Sequence, residues 1–137
     1  MTQPKKTKFK KTQKGKNFRL ITSTYFFNKI QFGSVVLRSV SGGILTSKHY
    51  DMLKLGLQKL LKKQGKIFML FYPHKPISKK PLEVRMGKGK GAVNFWGSRI
   101  GYGQDLCKVY LNNVLIGEKA MLIVKQKLPI ETKIIIH

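Results

Sequence analysis

Positive charge dominates this chain. Its 137 residues include 28 lysines and arginines but only 5 aspartates and glutamates, which gives a formal net charge of +23 at pH 7. A compact domain with this charge repels itself and needs a polyanion to neutralise it. Nucleic acid meets that need, because its phosphates bind cations strongly and release counterions as they do so. An anionic membrane surface is the alternative partner.

The charge is distributed unevenly. Residues 1–50 contain 11 lysines and arginines and no acidic residue, and residues 51–91 contain 11 more against Asp51 and Glu83. Residues 92–137 contain only 6 cations against 3 acidic residues. We therefore expect the RNA-facing surface to be built mainly from the first two-thirds of the chain.

Residues 1–17 differ in composition from the rest. They hold seven lysines, with Phe9 as the only aromatic residue. Such a segment buries too little apolar surface to fold alone. It is either a solvated tail or an arm that orders on RNA with Phe9 as an anchor, and the charge of the whole chain favours the arm. Residues 18–137 are predicted to form a single domain.

The first half of this domain predicts a strand, a helix and a second strand. Residues 30–40 are β-branched and aromatic, with Gly33 as a possible bulge. Leucines at helical spacing predict a helix over 47–64, capped by Thr46 or Ser47 and stopped by Gly65. The apolar run 66–72 then predicts a strand buried on both faces.

The next segment predicts a hairpin. Residues 73–81 contain three prolines and predict an extended loop. Apolar and charged residues alternate over 82–86, and an apolar segment follows at 92–100. Two strands joined by the glycine-rich loop 87–91 fit a β-hairpin with a long tip. Strands at 106–111 and 131–137, and a helix at 117–128 ended by Pro129, complete an α+β class: two helices packed on an antiparallel or mixed sheet.

The loop GKGKG, residues 87–91, is the most informative motif. Glycines permit close backbone approach, so that backbone N–H groups can point at phosphate oxygens while Lys88 and Lys90 add charge. Neither a Walker loop nor a GxGxxG motif has this spacing. A merely flexible hairpin tip is the alternative. Phe95 and Trp96 adjoin the loop, and core packing of at least one is favoured over stacking on a base.

Side-chain catalysis is poorly supported. The acidic residues are scattered, and His49, His74 and His137 lack metal-ligand spacing. Cys107 is the only cysteine, which excludes a disulfide, and its apolar strand predicts a small core residue. We expect no enzyme activity, no cofactor and no metal. No apolar run reaches the length of a membrane span, and the N-terminus resembles neither a secretory signal nor an organellar import sequence.

Four segments together resemble the bacterial and organellar ribosomal protein L-sixteen family. These are QPKKTKFKKTQKGK (3–16), KKQGKI (62–67), PHKPISKKPLEVRMGKGKGAVNFW (73–96) and KLPIETK (127–133). The resemblance implies an α+β domain in the large ribosomal subunit that binds large-subunit rRNA. It also implies neighbouring ribosomal proteins as partners, a loop pointing towards the aminoacyl-tRNA site near the peptidyl transferase centre, and roles in late assembly and tRNA accommodation.

Candidate site residues follow from this resemblance by motif. The candidates for rRNA binding are Lys5, Lys6, Lys8, Lys10, Lys11, Lys14, Lys16 and Arg19. The candidates for the loop close to tRNA or rRNA are Arg85, Met86, Gly87, Lys88, Gly89, Lys90 and Gly91. No homo-oligomer is expected.

Two segments depart from the family pattern. Residues 20–32 are longer and more hydrophobic than usual, and residues 101–118 lose the usual acidic and glycine pattern. Tyr25 to Phe27 could meet an organelle-specific protein, with local core packing as the alternative. Lysine outnumbers arginine 24 to 4, which suits an AT-rich genome. A protein made inside a mitochondrion is the favoured origin, with a plastid or a bacterial cytoplasm as alternatives.

Two other classes of protein fit the sequence less well. A nucleic-acid enzyme or a basic nucleic-acid-binding protein outside the ribosome would need a carboxylate metal site or a recognition helix, and the sequence shows neither. A cationic membrane-active protein would have an amphipathic basic helix as its main feature. Here the densest charge lies in a non-periodic arm.

Overall fold

The computed structural model describes residues 2–13, 33–62, 64–87 and 89–136. The elements within these ranges are β1 (Ser34–Ser39), β2 (Gly43–Thr46), α1 (Ser47–Leu61), β3 (Gly65–Met69), β4 (Lys75–Ser78), β5 (Val93–Ile100), β6 (Asp105–Leu111), α2 (Val114–Lys125) and β7 (Thr132–Ile136). They form a four-stranded sheet, a three-stranded sheet and two helices, which confirms the predicted α+β class.

The main core lies between the helices and the four-stranded sheet, whose order is β3-β6-β1-β7 with antiparallel neighbours. Val35 and Leu37 of β1 pair with Val109 and Cys107 of β6, so these four side chains share one face. All four are fully buried and cluster with the apolar residues of both helices. At about 25 cal/mol per Å² of apolar surface, this burial is the main stabilising term of the fold.

Helix α1 follows its predicted pattern. Leu53, Leu57 and Leu61 are buried at intervals of four residues, which directs one face of the helix into the core. At its N-terminus, the backbone N–H of Thr46 donates to Nδ1 of His49 over 3.1 Å. At its C-terminus, the prediction that Gly65 stops the helix was wrong. Lys62 takes the left-handed conformation at φ +45°, and Gly65 begins β3.

The predicted hairpin was wrong in its first strand and in the length of its loop, although its second strand is present as β5. β5 pairs with β4, in the segment expected to be a loop, and residues 82–86 form turns instead of a strand. Pro76 was the misleading residue, because a proline within a strand lacks a donor for a sheet ladder. It is accommodated here because the sheet order is β2-β5-β4, which leaves β4 at the edge.

Other element boundaries also differ. β3 was expected to be buried on both faces, but it is an edge strand in which burial alternates and Phe68 is 48% exposed. β2 was not predicted at all. Helix α2 begins three residues earlier than expected, because the side chain of Asn113 accepts from the N–H of Leu115 and caps it. It ends at Lys125, so Pro129 does not terminate it. The strands predicted at 92–100, 106–111 and 131–137 are confirmed within one residue at each end.

Candidate nucleic-acid interface

The described part of the N-terminal arm runs along the folded domain without helix or strand structure. At one end, the hydroxyl of Thr2 donates to a carboxylate oxygen of Asp51 on α1 over 2.5 Å. Towards the other end, the hydroxyl of Thr12 lies 3.5 Å from the carbonyl oxygen of Pro76 on β4. The arm therefore extends from the start of α1 to the edge of the three-stranded sheet.

The arm presents its cations to solvent. All five of its described lysines are exposed, and none forms an ion pair with a carboxylate within the described residues. Phe9 is 63% exposed, with Nζ of Lys8 5.5 Å from the centre of its ring. Charge and an aromatic surface are thus available to an external ligand. The candidates Lys14, Lys16 and Arg19 lie outside the described residues.

The glycine–lysine loop lies in the connection between β4 and β5. Gly91 makes its closest approach: a Cβ there would lie 2.6 Å from the carbonyl oxygen of Lys79. Beside it, the N–H of Lys79 donates to the carbonyl oxygen of Ala92 over 3.1 Å. A glycine at position 91 therefore lets the two sides of the connection meet.

The tip of the loop is open. Gly87 and Gly89 have φ of +104° and +82°, and a Cβ at either position would touch nothing within 4 Å. Both glycines thus take positive φ, whereas the close backbone approach that the sequence suggested is found in this loop only at Gly91. Arg85 is exposed, Met86 is fully exposed, and Lys88 lies outside the described residues.

The structure brings the arm and the loop together. Nζ of Lys11 donates to the carbonyl oxygen of Lys90 over 2.8 Å, and Nζ of Lys90 donates to the carbonyl oxygen of Thr12 over 2.5 Å. Two candidate segments separated by more than seventy residues thus form one surface, which we call the arm–loop surface: the described residues 2–13, 79–87 and 89–91.

Two further cations border this surface, and the sequence did not single them out. Lys75 of β4 and Arg99 of β5 line a cleft together with Lys90 and Thr12. The pKa of Lys75 is lowered by desolvation and by the neighbouring charges of Arg99 and Lys90. The available signal was an arginine within the otherwise uncharged strand VNFWGSRI.

Comparison with known proteins identifies the family of the chain. The profile of the family "Ribosomal protein L16p/L10e" matches residues 4–135. The chain belongs to this family. A relative from Wigglesworthia glossinidia brevipalpis, "Large ribosomal subunit protein uL16", is 42% identical over 96% of this chain and 94% of its own length. Proteins of the same description from Karelsulcia muelleri and Aeromonas hydrophila are 38% and 39% identical, each over 99% of this chain and 98% and 97% of their own lengths.

The family match spans both segments that depart from its usual pattern. Residues 20–32 lie outside the described residues, so contact of Tyr25 to Phe27 with an organelle-specific protein, and local core packing as its alternative, both stay predictions. Residues 101–118 form β6 and the start of α2, and Asp105 is buried there. Its carboxylate pairs with Arg38 at 2.6 and 3.2 Å. The unusual sequence in this segment therefore still builds part of the core.

Cys107 and His49, two of the residues considered for catalysis, are both placed in the folded domain. Burial and the charge of Asp105 raise the pKa of Cys107 to about 12, and its thiol lies 3.8 Å from the sulfur of Met121. Its predicted place in the core is confirmed. Burial lowers the pKa of His49, which keeps its ring neutral and able to accept the capping hydrogen bond. A reactive thiol needs a lowered pKa, so the raised pKa of Cys107 is typical of an unreactive core residue. His49 serves in the cap of α1.

Possible metal ligands and the aromatic residues beside the loop are the remaining features that the sequence singled out. Within the described residues no group of three potential ligands could hold a metal ion, and no helix is long and apolar enough to cross a membrane. Phe95 and Trp96 are both half-buried and outside the buried core, so the favoured core packing of at least one of them was wrong. Both line a depression on the three-stranded sheet that also includes Gln3 of the arm.

Proposed function

We propose that this chain, a structural constituent of the large ribosomal subunit by its family, binds large-subunit rRNA through the arm and holds the loop beside the aminoacyl-tRNA site. The observation that carries the proposal is the pair of hydrogen bonds that join Lys11 and Thr12 of the arm to Lys90 of the loop. It unites the arm and the loop in one cationic surface. A single stretch of RNA can therefore contact both.

The chemistry of the surface favours contact with phosphate over the reading of bases. Lysine is a mobile point charge suited to phosphate, and exposed glycines at positive φ leave backbone N–H groups accessible. Arg85 adds an exposed planar fork that can hold a phosphate at two points or stack on a base. The loop would therefore position RNA by charge and shape, without sequence-specific contacts.

The chain contributes no catalytic side chain in this proposal. Its candidate nucleophile is buried and protonated, and its described histidines form local hydrogen bonds. The partners are large-subunit rRNA, aminoacyl-site tRNA and neighbouring ribosomal proteins. It acts as one copy with no cofactor.

The cellular site of this role is a separate part of the proposal. The excess of 24 lysines over 4 arginines favours a chain encoded in an AT-rich genome, and we propose the mitochondrial ribosome as its location. The relatives compared above are bacterial, which keeps a bacterial ribosome as the alternative. Mass spectrometry of purified mitochondrial large subunits from the source organism separates the two. Absence of the chain from them would contradict a mitochondrial location.

The test of RNA binding compares two variants that lose the same charge. In the first, the five described arm lysines are replaced by glutamine. In the second, five exposed lysines away from the arm–loop surface are replaced: Lys54, Lys59, Lys119, Lys127 and Lys133. Affinity for large-subunit rRNA is measured over a range of salt concentrations. Since each phosphate contact adds about 0.7–0.9 to the slope of log affinity against log salt, the arm variant should lose about 3.5–4.5 from the slope.

The control decides how the result is interpreted. It should change the slope far less, because none of its lysines belongs to the arm or to the connection between β4 and β5. Equal losses in both variants would show that RNA binding depends only on overall charge. Co-sedimentation of the wild-type chain with large subunits through the same salt range separates a ribosomal protein from a free nucleic-acid binder or a membrane-active one.

A further inference from the structure

A small cleft lies on the outer face of the three-stranded sheet. Lys75 of β4 lies opposite Gly97 of β5, and Arg99 follows Gly97 two residues later opposite Ile44. These positions share one face of the sheet. Gly97 lies between them, and because a Cβ there would lie 3.0 Å from Ile44 and 3.2 Å from Ile77, the two isoleucine side chains close over the glycine. Ile44 and Ile77 form apolar walls.

Three cations converge on this cleft. Lys75 and Arg99 come from the sheet, and Lys90 reaches it from the loop. The pKa of Lys75 is lowered, first by desolvation and then by the charges of Arg99 and Lys90. No carboxylate lines the cleft among the described residues. The three positive charges therefore repel one another and lack a protein anion in the cleft.

Arg99 gives a second, independent observation. Its Nη2 atom is buried and has no hydrogen-bond partner in the described part of the chain. A buried donor on a charged group is costly to leave unsatisfied, and native structures pair nearly all such groups. Together with the three cations that line the cleft and the absence of a carboxylate among its described lining residues, this favours an external anion as the partner of the cluster.

Size and surroundings limit the ligand. The cleft holds about 30 Å³, enough for an oxygen atom or two but too small for a nucleobase. Thr12 of the arm and Lys90 of the loop form its rim, so a ligand seated there touches both parts of the arm–loop surface. A phosphate oxygen fits the cleft, while the remainder of a nucleotide chain can continue over the rim.

We propose that this cleft binds one phosphodiester group of RNA, with its oxygens held between the guanidinium of Arg99 and the ammonium groups of Lys75 and Lys90. This inference rests on the proposed function and adds to it a defined contact on the folded sheet. The arm and the loop supply distributed charge, whereas the cleft supplies a fixed, partly desolvated site. It recognises the RNA backbone without regard to sequence.

The site has a stability consequence that an exposed cation does not have. In the free protein, Arg99 contributes an unsatisfied donor and repulsion with two lysines. Replacing it by glutamine removes both. The Arg99→Gln variant should therefore unfold at a temperature equal to or above that of the wild type, while it binds RNA more weakly. A residue kept for function at the cost of stability behaves in this way.

The experiment compares Arg99→Gln with Lys133→Gln in the full chain. Lys133 is an exposed cation on the edge strand β7, so each variant loses one charge. Affinity for large-subunit rRNA and its salt slope are measured together with the thermal unfolding of the free proteins. We expect Arg99→Gln to weaken binding about tenfold, the size of one lost charge-assisted hydrogen bond. Lys133→Gln should change affinity much less.

Three results would overturn the inference. Equal losses of affinity in the two variants would show that the cleft is not an RNA site. A clearly lower unfolding temperature for Arg99→Gln would show that the guanidinium already has a partner in the free protein. Stabilisation of the wild type but not of Arg99→Gln by millimolar inorganic phosphate, with unchanged rRNA affinity, would assign the site to a small free anion. Failure of the proposed function would give a different result from failure of the cleft proposal, because the wild type itself would then bind rRNA weakly.

Discussion

Gly91 is the position at which the loop connection depends most on the absence of a side chain. In Gly91→Ala, the new Cβ would lie 2.6 Å from the carbonyl oxygen of Lys79 and 2.8 Å from the backbone nitrogen of Lys80. Ordinary contact begins at 3.4 Å, so the two sides of the connection must separate by about 0.8 Å (3.4 minus 2.6). Both contacts are with backbone atoms, which cannot turn aside as a flexible side chain could.

The cost of this separation has two parts. Steric overpacking costs about 1–3 kcal/mol, and loss of the neighbouring hydrogen bond from Lys79 to Ala92 adds about 1 kcal/mol. The sum is about 2–4 kcal/mol. At about 4 °C for each kcal/mol in a domain of this size, Gly91→Ala should lower the Tm by about 8 °C or more.

Gly89→Ala is the matched control, because the same methyl group is added two residues away. Gly89 has φ of +82°, so alanine there is strained by about 1–2 kcal/mol. Nothing lies within 4 Å of the added atom, so the exposed tip can rearrange locally. Loss of chain entropy in the unfolded state is the same for both changes and cancels in the comparison.

The assays are thermal unfolding of the free proteins and hydrogen exchange at the amide of Lys79. Gly91→Ala should melt lower than Gly89→Ala and exchange this amide faster, since its hydrogen bond is broken. If Gly89→Ala melts at the same temperature or lower, the close approach at Gly91 does not determine the stability of the connection, and the reasoning is refuted.

Three further predictions concern other parts of the chain. Replacing Lys88 and Lys90 by alanine should modestly weaken accommodation of aminoacyl-tRNA on purified ribosomes while subunits still assemble. Arg85→Lys should also weaken accommodation measurably, because the planar guanidinium is lost. Unchanged accommodation in every variant would leave the loop as a simple turn. Cys107 has a pKa raised from 9.0 to about 12, so the folded state retains its proton where the unfolded state loses it, and stability should fall by up to about 1.4 kcal/mol per pH unit between those values. Urea unfolding of Cys107→Ala should lack this part of the alkaline loss, and an identical pH dependence would count against it. Arg38→Met removes the guanidinium paired with a carboxylate that is only 4% exposed and should cost about 3 kcal/mol; a loss below about 1 kcal/mol in urea unfolding would mean that the pair contributes little.

Helix α1 and the central strands show what the sequence alone could predict. The leucines of α1 repeat at intervals that only a helix places on one face, and β5 and β6 are short segments that contain β-branched and aromatic residues. These signals are local, so a reading of the chain in order detects them. The arm and the glycine loop were also visible, because their composition differs from that of the remaining chain.

The errors have a different cause. The choice between β4 and residues 82–86 as the partner of β5 depended on which strand lies at a sheet edge, and proline is tolerated only there. Edge position is a property of the assembled sheet. The grouping of Lys75 with Arg99 depends likewise on strand pairing, and the contact of the arm with the loop depends on hydrogen bonds between residues far apart in sequence. No local pattern contains that information.

Pro76 also affects whether the free protein can associate with itself through the edge of β4. An unpaired edge strand usually presents a row of donors and acceptors to which another chain can add a strand. β4 has a proline at its second position and a lysine at its first, and the hydroxyl of Thr12 lies against the carbonyl oxygen of that proline. This edge is therefore blocked by a missing donor, a repelling charge and the chain's own arm. A newly made molecule can thus remain free of self-association on this side until it is assembled.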